Sequence, residues 1–252
     1  MAREAGALIA SAAARGRPSE VSEKGRNNLV TETDHASEAL ILERLAEAFP
    51  EHAVLSEESR PDTDSSRGWV WVVDPLDGTR NFTAGIPLYC VNVALALDGE
   101  VLLGATYDPN RDVCFLGGPG LGLTANGEPV RASTRAGLES AIVTLDLGYD
   151  DARALRQLEL AQRLWLEVGG IRMIASAALG LAWAAAGLTD VFAHSSLAPW
   201  DVAAALALVP AGGGLIVARD GATASLTEES AVAGAPGAVR AFLEHAQAVP
   251  RE

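Results

Sequence analysis

Cysteine is scarce in this chain, and the two that occur, Cys90 and Cys114, lack close metal-ligand spacing and imply no disulfide framework. Reduced thiols in a cytoplasmic setting are the expectation. Long apolar runs are also missing: no stretch reaches the ~20 residues needed to span a bilayer, so no membrane partner is expected. The Ala-rich stretch from Met1 to Arg15 is broken early by Glu4, and it reads as a helix rather than a signal peptide. Positive charge is thin. There are 19 basic residues against 33 acidic ones, a net charge of -14, and Lys24 is the only lysine. Such a surface repels phosphate backbones, which argues against nucleic acid as a partner. An anionic substrate would need local help from a cation or from oriented backbone N–H groups. Neither an internal repeat nor a long low-complexity linker is present.

Apolar residues make up 49% of the chain, enough for a sizeable core. Helices are expected over 3–15 and 34–49, with Asp34 placed like an N-cap, and a polar loop over 59–68. Trp69 to Val73 reads as a buried strand that stops at Asp74-Pro75. Strands over 90–97 and 100–106 flank Asp98-Gly99, the strongest hairpin signal in the sequence. A further strand is expected over 112–116, and then a glycine-rich turn from Gly117 to Gly122. From about residue 140 strands and helices alternate: strands over 141–145, 171–174, 190–193 and 214–217, helices over 151–166, 176–187, 200–209 and 236–247. The fold class is α/β, with an α+β first half (1–138) and an α/β second half (139–252).

The chemistry concentrates in Asp74-Pro75-Leu76-Asp77-Gly78-Thr79. Two carboxylates stand three positions apart across a Pro turn at the end of a hydrophobic strand. Hard divalent cations such as Mg²⁺ prefer oxygen ligands of this kind. Gly78 allows close backbone approach, and free N–H groups at Gly78 and Thr79 would form an anion site if a helix begins there. The same residues also suit a plain surface turn. Three further segments add weight. Ser56-Glu57-Glu58 follows the apolar run Ala53-Val54-Leu55, although Glu pairs commonly face water. Asp34 closes the segment from Asn28, and Asp201 follows Pro199-Trp200, each also suited to a helix N-cap.

Taken in order, these segments resemble the inositol monophosphatase family, among the lithium-sensitive, metal-dependent sugar and nucleotide phosphatases. The resemblance runs from the first helix to the last. It rests on Lys24, Leu29 to Asp34, Ser56-Glu57-Glu58, Trp71 to Phe82, Arg172 to Ala178, and Pro199-Trp200-Asp201 followed by Gly212-Gly213-Gly214. It implies a layered αβαβα sandwich of the sugar phosphatase type, with an antiparallel sheet in the first half, and commonly a homodimer. It implies a Mg²⁺-dependent phosphomonoesterase acting on a small polyol, sugar or cyclitol phosphate. Glu57, Asp74 and the carbonyl of Leu76 would bind one ion, and Asp74, Asp77 and Asp201 a second. Glu57 would help hold a weaker third, and Mn²⁺ is a possible substitute. Thr79, hydrogen-bonded to Asp34, would work with Glu57 to position and activate the attacking water. Gly78 and Thr79 would hold the phosphate, with Lys24 on a nearby mobile loop. Asp77, Asp201, Ala175, Ser176, Ala177 and His194 would face the substrate.

Two positions depart from the family pattern. Ala175 stands where glycine is usual. His194, seven residues before Asp201, stands where inositol phosphatases carry a carboxylate that receives hydroxyl hydrogen bonds. A His packed at a strand end is the alternative reading of that position. Other expectations stay open: fructose 1,6-bisphosphate, histidinol phosphate or a nucleotide 3′-phosphate as substrate, or a regulatory protein-binding role on the same fold. Arg80, where threonine is common, is either exposed near the helix start or placed to meet a second phosphate.

Overall fold

The computed structural model describes residues 1–18, 21–25 and 28–247. Helix α1 (Ala2–Ala14) buries Ala5, Ile9 and Ala12 on one stripe. Strands β1 (Val21–Gly25) and β2 (Asn28–Thr31) then pair antiparallel. Residues 28–31 were expected to lie in a loop. Val21 and Thr31 pair across a ladder that no local signal announces, because its partner strand is mostly polar.

Helix α2 (Glu32–Ala48) starts two residues earlier than expected, and its N-cap is Thr31, not Asp34. Thr31 Oγ1 accepts from the N–H groups of Thr33 (3.1 Å) and Asp34 (3.4 Å), while Asp34 Oδ2 accepts from the Thr31 N–H (2.9 Å). This reciprocal arrangement satisfies donors at the helix start and fixes the Asp34 carboxylate.

Strand β3 (Ala53–Ser56) pairs parallel with β4 (Trp69–Asp77). A six-residue helix α3 (Thr79–Ala84) follows, then β5 (Cys90–Leu97), β6 (Glu100–Asp108), β7 (Val113–Gly118), β8 (Gly122–Ala125) and β9 (Glu128–Pro129). These seven strands form one sheet in chain order, antiparallel beyond the first pair. Asp98 (φ 51°) and Gly99 (φ 83°) turn β5 into β6 with the two positive φ angles that a tight hairpin demands. The glycine-rich segment is a tighter turn than expected, since Gly117 and Gly118 belong to β7 and Gly122 opens β8.

β4 does not stop at Asp74-Pro75. Asp74 pairs with Asn92, and pairing resumes at Asp77 with Cys90, so β4 carries one extra residue. Pro75, which has no N–H to give a ladder, sits at this bulge. In an unbroken strand, residues three apart face opposite sides. The bulge resets the alternation and lets both carboxylates serve one site.

The second sheet holds β10 (Ile142–Leu145), β11 (Gly170–Arg172), β12 (Val191–His194), β13 (Leu215–Val217) and β14 (Ala231–Gly234), in the order β11-β10-β12-β14-β13. β10 runs parallel to β11 and β12, while β14 is antiparallel to β12 and β13. β14, four small residues, had no sequence signal of its own. The helices between are α4 (Asp151–Leu164), α5 (Ala177–Ala185), α6 (Pro199–Ala211) and α7 (Pro236–Gln247).

Five layers result. α1 and α2 cover the large sheet, α5 and α6 lie between the sheets, and α4 and α7 cover the small sheet. Buried on both sides, α5 and α6 are apolar nearly all round. Their small side chains permit close packing: a Cβ on Gly104 of β6 would lie 2.4 Å from the Ala204 carbonyl oxygen. Among the described residues no helix is long and apolar enough to cross a membrane. Strand ends and helix starts converge on one place. β4, β10 and β12 end there, and α3, α5 and α6 begin there, the usual ligand position in a layered α/β arrangement.

Candidate active site

Asp74, Asp77 and Asp201 each bring a carboxylate oxygen within 4.8 Å of the others. Asp74 and Asp77 come from the bulged end of β4, and Asp201 from the first turn of α6. Asp201 is not the N-cap; Ala198 is, and its N–H donates to Asp201 Oδ2 at 2.7 Å. Burial raises the pKa of all three, and for Asp74 and Asp201 the neighbouring acids raise it further. Three like charges packed this closely and away from water call for a cation or for protons. An all-oxygen donor set of this kind fits Mg²⁺.

Asp77 carries a second load. Its carboxylate accepts from the Ser176 hydroxyl and from the N–H groups of Ala177 (3.2 Å), Ala178 (3.0 Å) and Leu179 (3.4 Å). It therefore ties the end of β4 to the start of α5, about one hundred residues away. The Cys90 thiol also donates to it at 3.5 Å, and burial pushes that thiol well above its ordinary pKa.

Glu57 lies just beyond β3, and its own N–H donates to the Val73 carbonyl at 3.3 Å. Burial raises its carboxyl pKa to about 7, with Lys24 opposing the rise and Glu58 adding to it. Lys24, on β1, places its ammonium 2.9 Å from Glu57 and 2.7 Å from Glu58. Positive charge is thus already drawn to this carboxylate. Glu38, which sequence reasoning did not single out, holds the turn in place. Its Oε1 accepts from the Ser56 hydroxyl and from the N–H groups of Glu58 and Ser59, both at 3.1 Å.

Thr79 Oγ1 lies 2.9 Å from Asp34 Oδ1 and 3.0 Å from the Leu76 carbonyl oxygen, and it donates toward them. Gly78 has φ 91°, and a Cβ there would meet the Leu88 carbonyl at 2.8 Å and Ser176 Cβ at 3.1 Å. Only glycine fits both the angle and the space. Glu57, Asp74, Leu76, Asp77, Gly78, Thr79 and Asp201 all line one cavity of about 390 Å³. α3 is short, so any attraction for an anion comes from individual N–H groups rather than from a helix dipole.

The sequence profile of the inositol monophosphatase family matches residues 1–250. Nus factor SuhB of Escherichia coli K12 is 35% identical over 243 residues, 96% of this chain and 91% of that protein. An inositol-1-monophosphatase of Synechocystis is 35% identical over 208 residues, 81% of this chain and 72% of that protein. The crystal structure of the extragenic suppressor protein suhB from Bartonella henselae superposes with a TM-score of 0.91 at 31% identity, covering 98% of this chain and 95% of that one. The chain belongs to the inositol monophosphatase family.

Two positions singled out in the sequence, Ala175 and His194, lie around a second cavity of about 590 Å³, which shares Asp77, Gly78, Tyr149, Ser196 and Asp201 with the first. His194 lines it from the end of β12. The imidazole accepts from the Ser196 N–H through Nδ1 (3.0 Å), and burial lowers its pKa to about 4, so it is neutral with its proton on Nε2. Ala175 also lines this cavity, held at φ 56°, a left-handed conformation that suits glycine and strains alanine. Asp146, absent from the sequence reading, follows β10. Its Oδ1 accepts from the N–H groups of Ile174 (2.7 Å) and Ala175 (2.9 Å), and burial raises its pKa to about 6. Its signal was the one that marked Asp74: an acid directly after an apolar strand. Arg80 is exposed at the rim.

Proposed function

We propose that this chain is a Mg²⁺-dependent phosphomonoesterase that hydrolyses the phosphate ester of a small hydroxyl-bearing metabolite by direct attack of water. The observation that carries this reading is the convergence of Asp74, Asp77 and Asp201 in one cavity beside Glu57 and the Thr79–Asp34 pair. Asp74, Asp77, Asp201, Glu57 and the Leu76 carbonyl are the groups that would hold two or three Mg²⁺ ions, with Mn²⁺ as a substitute. Bound Mg²⁺ supplies positive charge for the phosphoryl oxygens and makes water a better nucleophile near neutral pH.

The protein's own groups have distinct tasks. Thr79 gives its single hydroxyl proton to Asp34 or Leu76, so toward the cavity it can only accept. A water held there is turned with a lone pair free for attack. Glu57, which lines the cavity beside Thr79, is placed to help orient this water and receive its proton. The N–H groups of Gly78 and Thr79 would steady the phosphate as its charge redistributes. Ser176 and Ala177 act through Asp77, whose position they fix. Lys24 would balance Glu57 and Glu58 from β1.

A second reading is a binding role on the same fold, alone or beside catalysis. It is favoured by the name Nus factor SuhB, carried by relatives that match 91% of their own length. Phosphate release in oxygen-18 water separates the two. One solvent oxygen in each released phosphate supports attack of water at phosphorus. Phosphate without solvent label would refute that step, and no release from any inositol, hexose, histidinol or nucleotide phosphate would favour the binding role.

A further inference from the structure

We infer that a third cavity, separate from the acidic cluster, binds a phosphate group as an effector, and that Arg153 and Glu229 carry its occupancy to the catalytic cavity. The binding site stands without the phosphatase reading above; only its effect on catalysis rests on that reading.

Three observations converge. The first is charge. The chain carries a net charge of -14, yet Arg153, Arg156 and Arg219 line one cavity of about 430 Å³. Arg153 and Arg156 stand three positions apart on α4, which puts them on one face, and Arg219 follows β13. All three are half-buried. A plain surface ion-pair cluster would leave no guanidinium over, but Arg156 meets no acid or other acceptor among the described residues. The planar fork of a guanidinium matches two phosphate oxygens at once.

The second is the supply of protons. Ser195 Oγ accepts from Arg219 Nη1 at 3.3 Å, and Ser230 Oγ accepts from the Arg219 N–H at 3.1 Å. Each hydroxyl has therefore met a donor and still has its own proton to give, and both serines line the cavity. Guanidinium and hydroxyl donors together suit an oxyanion. The acids of the lining, Asp220, Glu228 and Glu229, are exposed. Glu229 pairs with Arg153 at 2.5 Å, and Asp220 accepts from the Ala222 N–H at 2.9 Å.

The third is a shared wall. Arg153 and Glu229 line this cavity and the catalytic one as well. Arg153 Nη1 donates to the Ser195 carbonyl at 2.9 Å, directly after His194, while Nη2 holds Glu229. A phosphate in the third cavity competes with Glu229 for Arg153. Once displaced, Glu229 brings an unpaired negative charge to the catalytic cavity and opposes the approach of an anionic ester.

Calorimetric titration of inorganic phosphate into the metal-free protein isolates this site, because the acids of the catalytic cavity repel phosphate when no cation is bound. One saturable site is expected. Arg156→Gln should weaken it by about tenfold. Glu229→Gln, which takes away the competing carboxylate, should tighten it by about tenfold, a gain that misfolding cannot produce. Asp74→Asn should leave it unchanged. No saturable binding, binding that Arg156→Gln and Glu229→Gln leave alone, or binding that Asp74→Asn governs would overturn the inference. A parallel titration with glycerol 3-phosphate names the source. Tighter binding of that ester, lost in Arg156→Gln, assigns the site to a phosphorylated metabolite, and weaker binding assigns it to free phosphate. With Mg²⁺ present, inorganic phosphate should raise KM more in wild type than in Arg156→Gln; an equal rise would overturn the link to catalysis. If no ester is cleaved, the phosphatase reading fails and the metal-free titrations decide the site by themselves.

Discussion

Without metal, this protein should lose stability as the pH rises, and Mg²⁺ should cancel most of that loss. Glu57 titrates at about 7 in the fold against 4.5 ordinarily, because burial penalises its charge more than Lys24 favours it. A pKa raised by folding means that the folded state holds the proton more tightly. The stability it contributes is intact below 4.5 and is lost as the pH climbs through about 7. The full shift is worth about 3 kcal/mol. About 2.5 kcal/mol of it falls between about pH 5 and about pH 8.5. Asp74, Asp77 and Asp201 are shifted in the same direction and add to the loss. In a chain of this size, about 2.5 kcal/mol lowers Tm by about 5 °C. Asp146, at about 6, adds a part that Mg²⁺ should cancel less, because it stands outside the cluster and its shift comes first from burial. Differential scanning calorimetry of the metal-stripped protein across that range, with and without saturating Mg²⁺, measures both. The Mg²⁺-induced rise in Tm should be larger at the high-pH end, since protons compete for the same carboxylates. A metal-free Tm that is flat or rises with pH, or a Mg²⁺ effect equal at both ends, would refute the reasoning.

Ala175→Gly should stabilise the protein by about 1 kcal/mol and raise Tm by about 2 °C, because it removes the strain of a left-handed alanine; thermal melts check this. Thr79→Ala should lower kcat by about 10²-fold, whereas Thr79→Ser should keep most of it, since serine preserves the hydroxyl that faces Asp34; steady-state kinetics on the preferred substrate decide it. Gly78→Ala should fail in both kcat and stability, as its Cβ would press on the Leu88 carbonyl; urea unfolding reads the stability part.

The parts of the site visible in the sequence were those whose geometry is local. Asp74 through Thr79 lie within one bulge and one turn, so their spacing suggested an oxygen-rich site next to backbone N–H groups, although it suited a plain surface turn as well. Asp98-Gly99 announced its hairpin for the same reason. What stayed hidden depends on distant partners. The Asp77 carboxylate is held by donors at 176–179, and no spacing along the chain records that. Read from its own segment, Asp34 was expected to cap its helix, and only the family resemblance paired it with Thr79. The neighbouring Thr31 takes the cap, which leaves one Asp34 oxygen for Thr79. Glu38 resembled an ordinary helix-surface acid until Ser56 packed against it. β14 and the β1–β2 pair were missed because short polar or small-residue strands are made strands by their neighbours rather than by their own composition.

The central claim, that Asp74, Asp77 and Asp201 form a Mg²⁺ site that drives phosphate ester hydrolysis, is tested most directly by phosphate release from wild type and Asp74→Asn, with and without Mg²⁺. Asparagine can still accept the Leu76 N–H that Asp74 Oδ1 accepts at 3.1 Å, so the fold should survive while a charged ligand is lost. The account predicts release by wild type that requires Mg²⁺, and a loss on the order of 10³-fold in the variant. Release that ignores Mg²⁺, or an Asp74→Asn protein as active as wild type, would contradict it.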